Sequence, residues 1–139
     1  MPVPRLRDRR MLTLEGATAL ADAAEAEARR RDWTVAIAVV NPEAGLIHFR
    51  CMDGTQPGSQ QVAIEKARTA ANFKRPTKAL EDALTAGRTG LLSMPGIITL
   101  EGGVPVVVDN QIVGAIGISG MQSAQDGVIA AAALDALGA

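Results

Sequence analysis

The stretch Val104-Pro-Val-Val-Val-Asp-Asn-Gln-Ile-Val-Gly-Ala-Ile-Gly-Ile-Ser119 sets the architecture. Two β-prone runs, Val104–Val108 and Gln111–Ser119, are separated only by Asp109-Asn110, the spacing of a β-hairpin. A second pair lies upstream. Thr34-Val-Ala-Ile-Ala-Val-Val40 is a continuous apolar run, suited to a strand covered on both faces. Asn41-Pro-Glu-Ala-Gly45 has the composition of a turn, and Leu46-Ile-His-Phe-Arg-Cys-Met52 alternates as the hairpin partner. By strand parity Ile47, Phe49 and Cys51 share the core face, while Leu46, His48, Arg50 and Met52 share the face open to chemistry.

Helices surround the hairpins. Leu14, Ala17, Ala21, Ala24 and Ala28 recur at helical spacing, with Thr13 placed to cap and Arg29-Arg30-Arg31 at the negative end of the dipole. Ser59 is placed to cap a helix running to about Lys74, with Ala63, Ala67 and Ala70 as a small-residue stripe. Pro76 opens a short helix that ends before Gly87. Arg88 to Gly103 reads as loop around the short run Gly96–Leu100. Ser123 and Asp126 form a Ser-x-x-Asp variant of the capping box before an Ala-rich helix to about Leu137. The order is helix, two strands, two or three helices, three strands, helix: one α+β domain on an antiparallel sheet.

Composition excludes several functions. The 139 residues carry 14 Lys plus Arg against 15 Asp plus Glu, so no broad positive field exists for nucleic acid. Only Trp33, Phe49 and Phe73 are aromatic, too few for a base-stacking platform. A single cysteine forms no internal disulfide. No run approaches the ~20 apolar residues that cross a bilayer. Residues 1–12, with four arginines between Arg5 and Arg10, read as a solvated flexible tail, and residues 13–139 as the domain. Without an apolar segment after those charges, the expected location is cytoplasmic.

The motifs narrow the chemistry. Gly114-x-x-Gly117-x-x-Gly120 has the wrong spacing for a dinucleotide fingerprint and lies in a strand, where glycine marks close packing or ligand approach. His48 and Cys51 face apart on one strand, which argues against a nucleophilic dyad and a zinc site. His48 is either a neutral imidazole ligand or a surface histidine beside Arg50. Met52, Met94 and Met121 are soft ligands or gap-fillers. Arg50, Asp53, Lys66 and Glu101 form the charged set of interest. Lys66 lies near an apolar stripe, where it either snorkels or serves a ligand, and Gly102-Gly103-Val104-Pro105 offers backbone amides to an anion. Asp126 is assigned to the helix cap.

Several segments together resemble a known family. They are Val39-Val40-Asn41…Gly45, Arg50-Cys-Met-Asp-Gly54, Glu65-Lys-Ala-Arg-Thr-Ala-Ala71, Gly102-Gly-Val-Pro105, and Val113-Gly-Ala-Ile-Gly-Ile-Ser-Gly120 followed by Gln125-Asp126. They are similar to the GlcG/HbpS family of small haem-binding or haem-degrading proteins, related to the C-terminal domain of PduO-type adenosyltransferases. The resemblance implies a profilin-like α+β domain with about five antiparallel strands, homo-oligomers, and ligand sites near subunit contacts. Asn41 stands where the family has Asp, removing one carboxylate.

Two functions follow as expectations. In the first, the protein binds haem or a related tetrapyrrole, with Arg50 and Lys66 on its carboxylates, Gly102, Gly103, Val104 and Pro105 bordering the pocket, and His48 as axial ligand. In the second, it is a cofactor-independent enzyme of isomerase, lyase or hydrolase type. Arg50 or Lys66 would anchor a small carboxylated or enolisable substrate, and Asp53, Glu101 or Lys66 would be catalytic. The third possibility is a purely structural, partner-binding subunit.

Overall fold

The computed structural model describes residues 4–139. Helix α1 (Leu14–Arg30) precedes strands β1 (Ala36–Val40) and β2 (Leu46–Cys51); helices α2 (Ser59–Phe73) and α3 (Thr77–Thr85) and a 3-10 turn at Thr89–Ser93 follow. Strands β3 (Gly103–Val108) and β4 (Gln111–Ser119) and helix α4 (Ser123–Leu137) complete the chain. The four strands pair antiparallel in the order β2-β1-β4-β3. Asp109 and Asn110 take positive φ (49° and 62°), as a two-residue hairpin turn requires.

The α+β class is as the sequence implies, but the described residues form four strands rather than five. Gly96–Leu100 does not join the sheet. Its backbone is held from α2 instead: Ile98 N donates to Thr69 Oγ1 at 3.1 Å, and that hydroxyl also donates to Glu65 O at 2.7 Å. A side-chain hydroxyl thus satisfies the amide that a ladder would otherwise have paired.

Helices cover both faces of the sheet. α1 and α4 pack together on one side over Ile37, Val39, Ile116 and Ile118. α2 lies on the other, its Ala63, Ala67 and Ala70 against Ala36, Ala38 and Ala115. That approach depends on Gly117, where an added Cβ would overlap Ala63 O and lie 2.5 Å from Ala67 N. The strand glycines therefore serve packing rather than ligand approach. Neither face of β2 is free. Phe49 and Cys51 pack on the α2 side, Met52 is buried in the α1–α4 core, and a bulge at Val39/Val40 places Ile47 with that core as well.

Local capping departs from the sequence reading at two helices. α2 has Gly58 at its N-cap with no side-chain bond, and Ser59 Oγ accepts instead from Gln56 Nε2 at 3.0 Å. At α4 the reciprocal capping box is Gln122 with Gln125, which frees Asp126 for another partner. The tail is tied down, with Arg9 bonded to Glu43 and Arg10 to Asp109, each at 2.8 Å, and Leu12 N donating to Val113 O at 2.9 Å. Asn41 Oδ1 accepts from the amides of Glu43 and Gly45, so this residue serves the turn. Among the described residues, no helix is long and apolar enough to cross a membrane.

Candidate functional site

The strand register gathers the C-terminal ends of β2 and β4 and the start of β3 at one end of the sheet, with Ala36 opposite both Cys51 and Ser119, and Gly103 opposite Gly117. α2 and α4 start in the connections that follow β2 and β4. Lys66, midway along α2, sends its ammonium inward, where it donates to Ile118 O at 3.0 Å and to Asp126 Oδ2 at 3.1 Å. Both side chains are 2% exposed. Asp126 Oδ1 accepts from Met121 N at 3.0 Å, so each carboxylate oxygen has a donor. Burial pushes the Asp126 carboxyl above its ordinary range, and the Lys66 charge and the Met121 amide oppose that rise.

The glycine pair at the start of β3 makes room for this lysine. A Cβ on Gly102, at φ +135°, would lie 2.9 Å from Lys66 Nζ, and one on Gly103 would overlap the Lys66 carbonyl. The Gly103 amide is not a spare anion donor, because it donates to Thr77 Oγ1 at 2.9 Å, and the Gly102 carbonyl accepts from Ile118 N. Val104 and Pro105 continue as edge strand β3, the position where proline is tolerated. Glu101 stands beside them, its amide bonded to Glu81 Oε1 at 3.0 Å, and a side chain at Gly127 would run into its carboxylate. Burial raises the Glu101 carboxyl; Lys78 opposes the rise, and Glu81 and Asp82 add to it. Lys66, Asp126 and Glu101 thus combine a buried cation with two carboxyls displaced towards holding a proton.

His48 and Arg50 form a separate cluster on the far edge. Arg50 Nε donates to His48 Nε2 at 3.1 Å. Arg50 also contacts Asp22 Oδ1 at 2.8 Å and Glu25 Oε1 at 3.1 Å. Arg29 and then Arg50 hold the Glu25 carboxyl below its usual value. Asp53 stands exposed in the turn after β2. Two residues on, Thr55 Oγ1 is buried with no hydrogen-bond partner among the described residues.

The charged residues that the sequence grouped therefore divide. β2 and β3 are opposite edges, three strand spacings or roughly 14 Å apart. Arg50 lies with His48 at one edge, while Lys66, Glu101, Gly102 and Gly103 lie at the other. Asp126 was missed as a site residue, although a lysine set among alanines demands a carboxylate somewhere. The Arg29–Arg31 run is spent on Glu25, Glu27 and the face of Trp33.

Fold and site define a small α+β domain with one helix-covered antiparallel sheet and a buried ammonium–carboxylate pair at its end. The chain belongs to the HbpS-like family, whose model, described as haem degrading protein HbpS-like, matches residues 12–135. Protein GlcG of Escherichia coli (strain K12) is 42% identical over 109 residues, covering 78% of this chain and 81% of GlcG. A double mutant of Streptomyces reticuli HbpS has a TM-score of 0.91 and 33% identity, covering 100% of this chain and 95% of its own. A complex of PduOC with haem has a TM-score of 0.83 and 26% identity, over 91% of this chain and 94% of its own.

Proposed function

We propose that this protein binds haem or a related tetrapyrrole, with His48 as the axial ligand. The likeness to the PduOC–haem complex over nine-tenths of the chain carries the reading. The donor chemistry agrees with it. His48 is the sole imidazole, and Arg50 Nε, which donates to its Nε2, would move off that nitrogen to free its lone pair. When bound, the group would supply its own redox and ligand chemistry. The protein would supply the imidazole and, from Arg50, a guanidinium able to exchange Asp22 and Glu25 for a carboxylate of the ring. Lys66 is held inside by Asp126 towards the opposite edge of the sheet, so it would not touch a ring bound at His48. A homo-oligomer would complete the pocket at the unpaired edge of β2, where Leu46 is 52% exposed.

Haemin titration of the apo protein in imidazole-free buffer tests this. A Soret shift should saturate at one haem per chain or per pair of chains, and His48→Ala should abolish it. Unsaturable binding, or the same spectrum in His48→Ala, sinks the assignment.

The raised carboxyls of Asp126 and Glu101 beside Lys66 favour a second reading, a cofactor-independent enzyme moving a proton on a small organic acid. There Glu101 is the proton carrier beside the Lys66–Asp126 pair, and Asp53, at the opposite edge of the sheet, takes no part. Turnover in a screen of small carboxylates should then fail in Glu101→Gln while the fold survives.

A further inference from the structure

We propose that the groove between the end of α2, helix α3 and the 3-10 turn is a binding site for a small apolar carboxylate, distinct from the tetrapyrrole site. Lys74, in the left-handed conformation (φ 55°), ends α2 and sends the chain back through Arg75 and Pro76 into α3. The reversal leaves a cavity of about 220 Å³ lined by Phe73, Arg75, Leu80, Ala83, Arg88 and Met94, among others. Leu80 and Leu91 are buried beneath it, and Phe73, Ala83 and Met94 are half-exposed.

The wall is apolar and the rim is cationic. Among the described residues, no acidic side chain lines the cavity. Among the described residues neither Arg75 nor Arg88 has a carboxylate partner, whereas Arg9, Arg10, Arg29, Arg30, Arg31, Arg50 and Arg68 all do. Arg75 Nε is fixed on Phe73 O at 2.9 Å, which leaves its terminal nitrogens for a ligand. Two guanidiniums over an apolar floor match an anionic head on an apolar body. The volume lies below the ~300 Å³ at which pockets for drug-sized ligands begin, so the occupant is an aryl or short branched carboxylate rather than a macrocycle.

Titration with 1-naphthoate, followed by its fluorescence and by calorimetry, tests this, with 1-naphthalenemethanol as the uncharged comparison. One naphthoate should bind per chain, and more weakly as salt rises. Arg75→Gln and Arg88→Gln should each weaken binding roughly tenfold or more, the worth of a charge-assisted hydrogen bond. Both arginines are exposed, so the variants should melt like the parent. Ala83→Leu, which fills the cavity and leaves both charges, should also lose binding, while Arg68→Gln should keep it. The proposal is overturned if the alcohol binds as tightly, if neither arginine change matters, or if no saturable binding occurs. Displacement of naphthoate by haemin, one for one, overturns it as well, because the groove would then belong to the tetrapyrrole site. His48→Ala should leave naphthoate binding intact, so failure here and failure of the haem reading are separately visible.

Discussion

Replacing Lys66 with methionine keeps most of the side-chain volume and removes only the charge and its donors. Asp126 would then be a carboxylate almost wholly shielded from water, left with backbone amides alone. Removing one partner of a buried pair costs about 3–5 kcal/mol, a large part of the roughly 5–15 kcal/mol that holds a domain of this size. At roughly 3–5 °C per kcal/mol, interpolated for this length, the melting temperature should fall by about 10–20 °C. Asp126→Asn should also destabilise, but its amide oxygen can still accept from Met121 N. The double variant, with no charge left to strand, should be more stable than the sum of the singles by about 2 kcal/mol. Urea denaturation of the four proteins measures this. Low pH supplies a further arm, because Asp126 without its cation protonates more readily, so the Lys66→Met deficit should shrink as pH falls. Additivity within about 0.5 kcal/mol, or a single-variant cost below about 1 kcal/mol, refutes the argument that the pair is coupled in a dry site.

Two further outcomes follow from the same geometry. Burial raises the folded-state Glu101 carboxyl above its ordinary value of 4.5, so the native state binds more protons than the unfolded chain in that window. Its contribution to stability is full below the unfolded value and declines as pH rises through the folded one. Glu101→Gln should therefore gain on the parent as pH climbs from 4 towards 8; a pH-independent difference between their urea midpoints would contradict this. Gly117→Ala sets a Cβ against the Ala63 carbonyl and the Ala67 amide, both backbone atoms that cannot swing aside. It should cost about 1–3 kcal/mol by lifting α2 from β4, and a change within 0.5 kcal/mol, roughly the scatter of surface substitutions, would show that the contact is soft.

What the residues announced on their own was mostly local. The Asp109-Asn110 turn, the apolar β1 run and the Thr13 cap are short-range features, and each appears where its spacing placed it, with Thr13 Oγ1 accepting from Gly16 N at 3.0 Å. Non-local choices were hidden. Gly96–Leu100 has strand composition, yet a single hydroxyl on Thr69 claims its Ile98 amide. Asp126 satisfies a helix-cap pattern as well as an ion-pair role, and only the packing of α2 against β3 and β4 selects between them. The arginines of the α3 groove carried no motif at all. Their meaning lies in what does not face them, which a linear chain cannot display.

The sheet order also constrains how this family member can hold a large ligand. Arg50 and Lys66 read along the chain as one clamp, only 16 positions apart. In space the pairing β2-β1-β4-β3 sends them to opposite edges, each already neutralised by carboxylates of its own neighbourhood. A ring that used both charges from one chain would have to displace Asp22 and Glu25 at one edge and unpack a buried pair at the other. The first exchange is the cheaper one, because Arg50 is only half-buried with Asp22 and Glu25 and would trade one carboxylate for another. The second forfeits the several kcal/mol argued above for Lys66 and Asp126. Under the proposed function the asymmetry assigns the two clusters different work: the β2 edge would open to a ligand, and the β3 edge would hold the end of the sheet behind it.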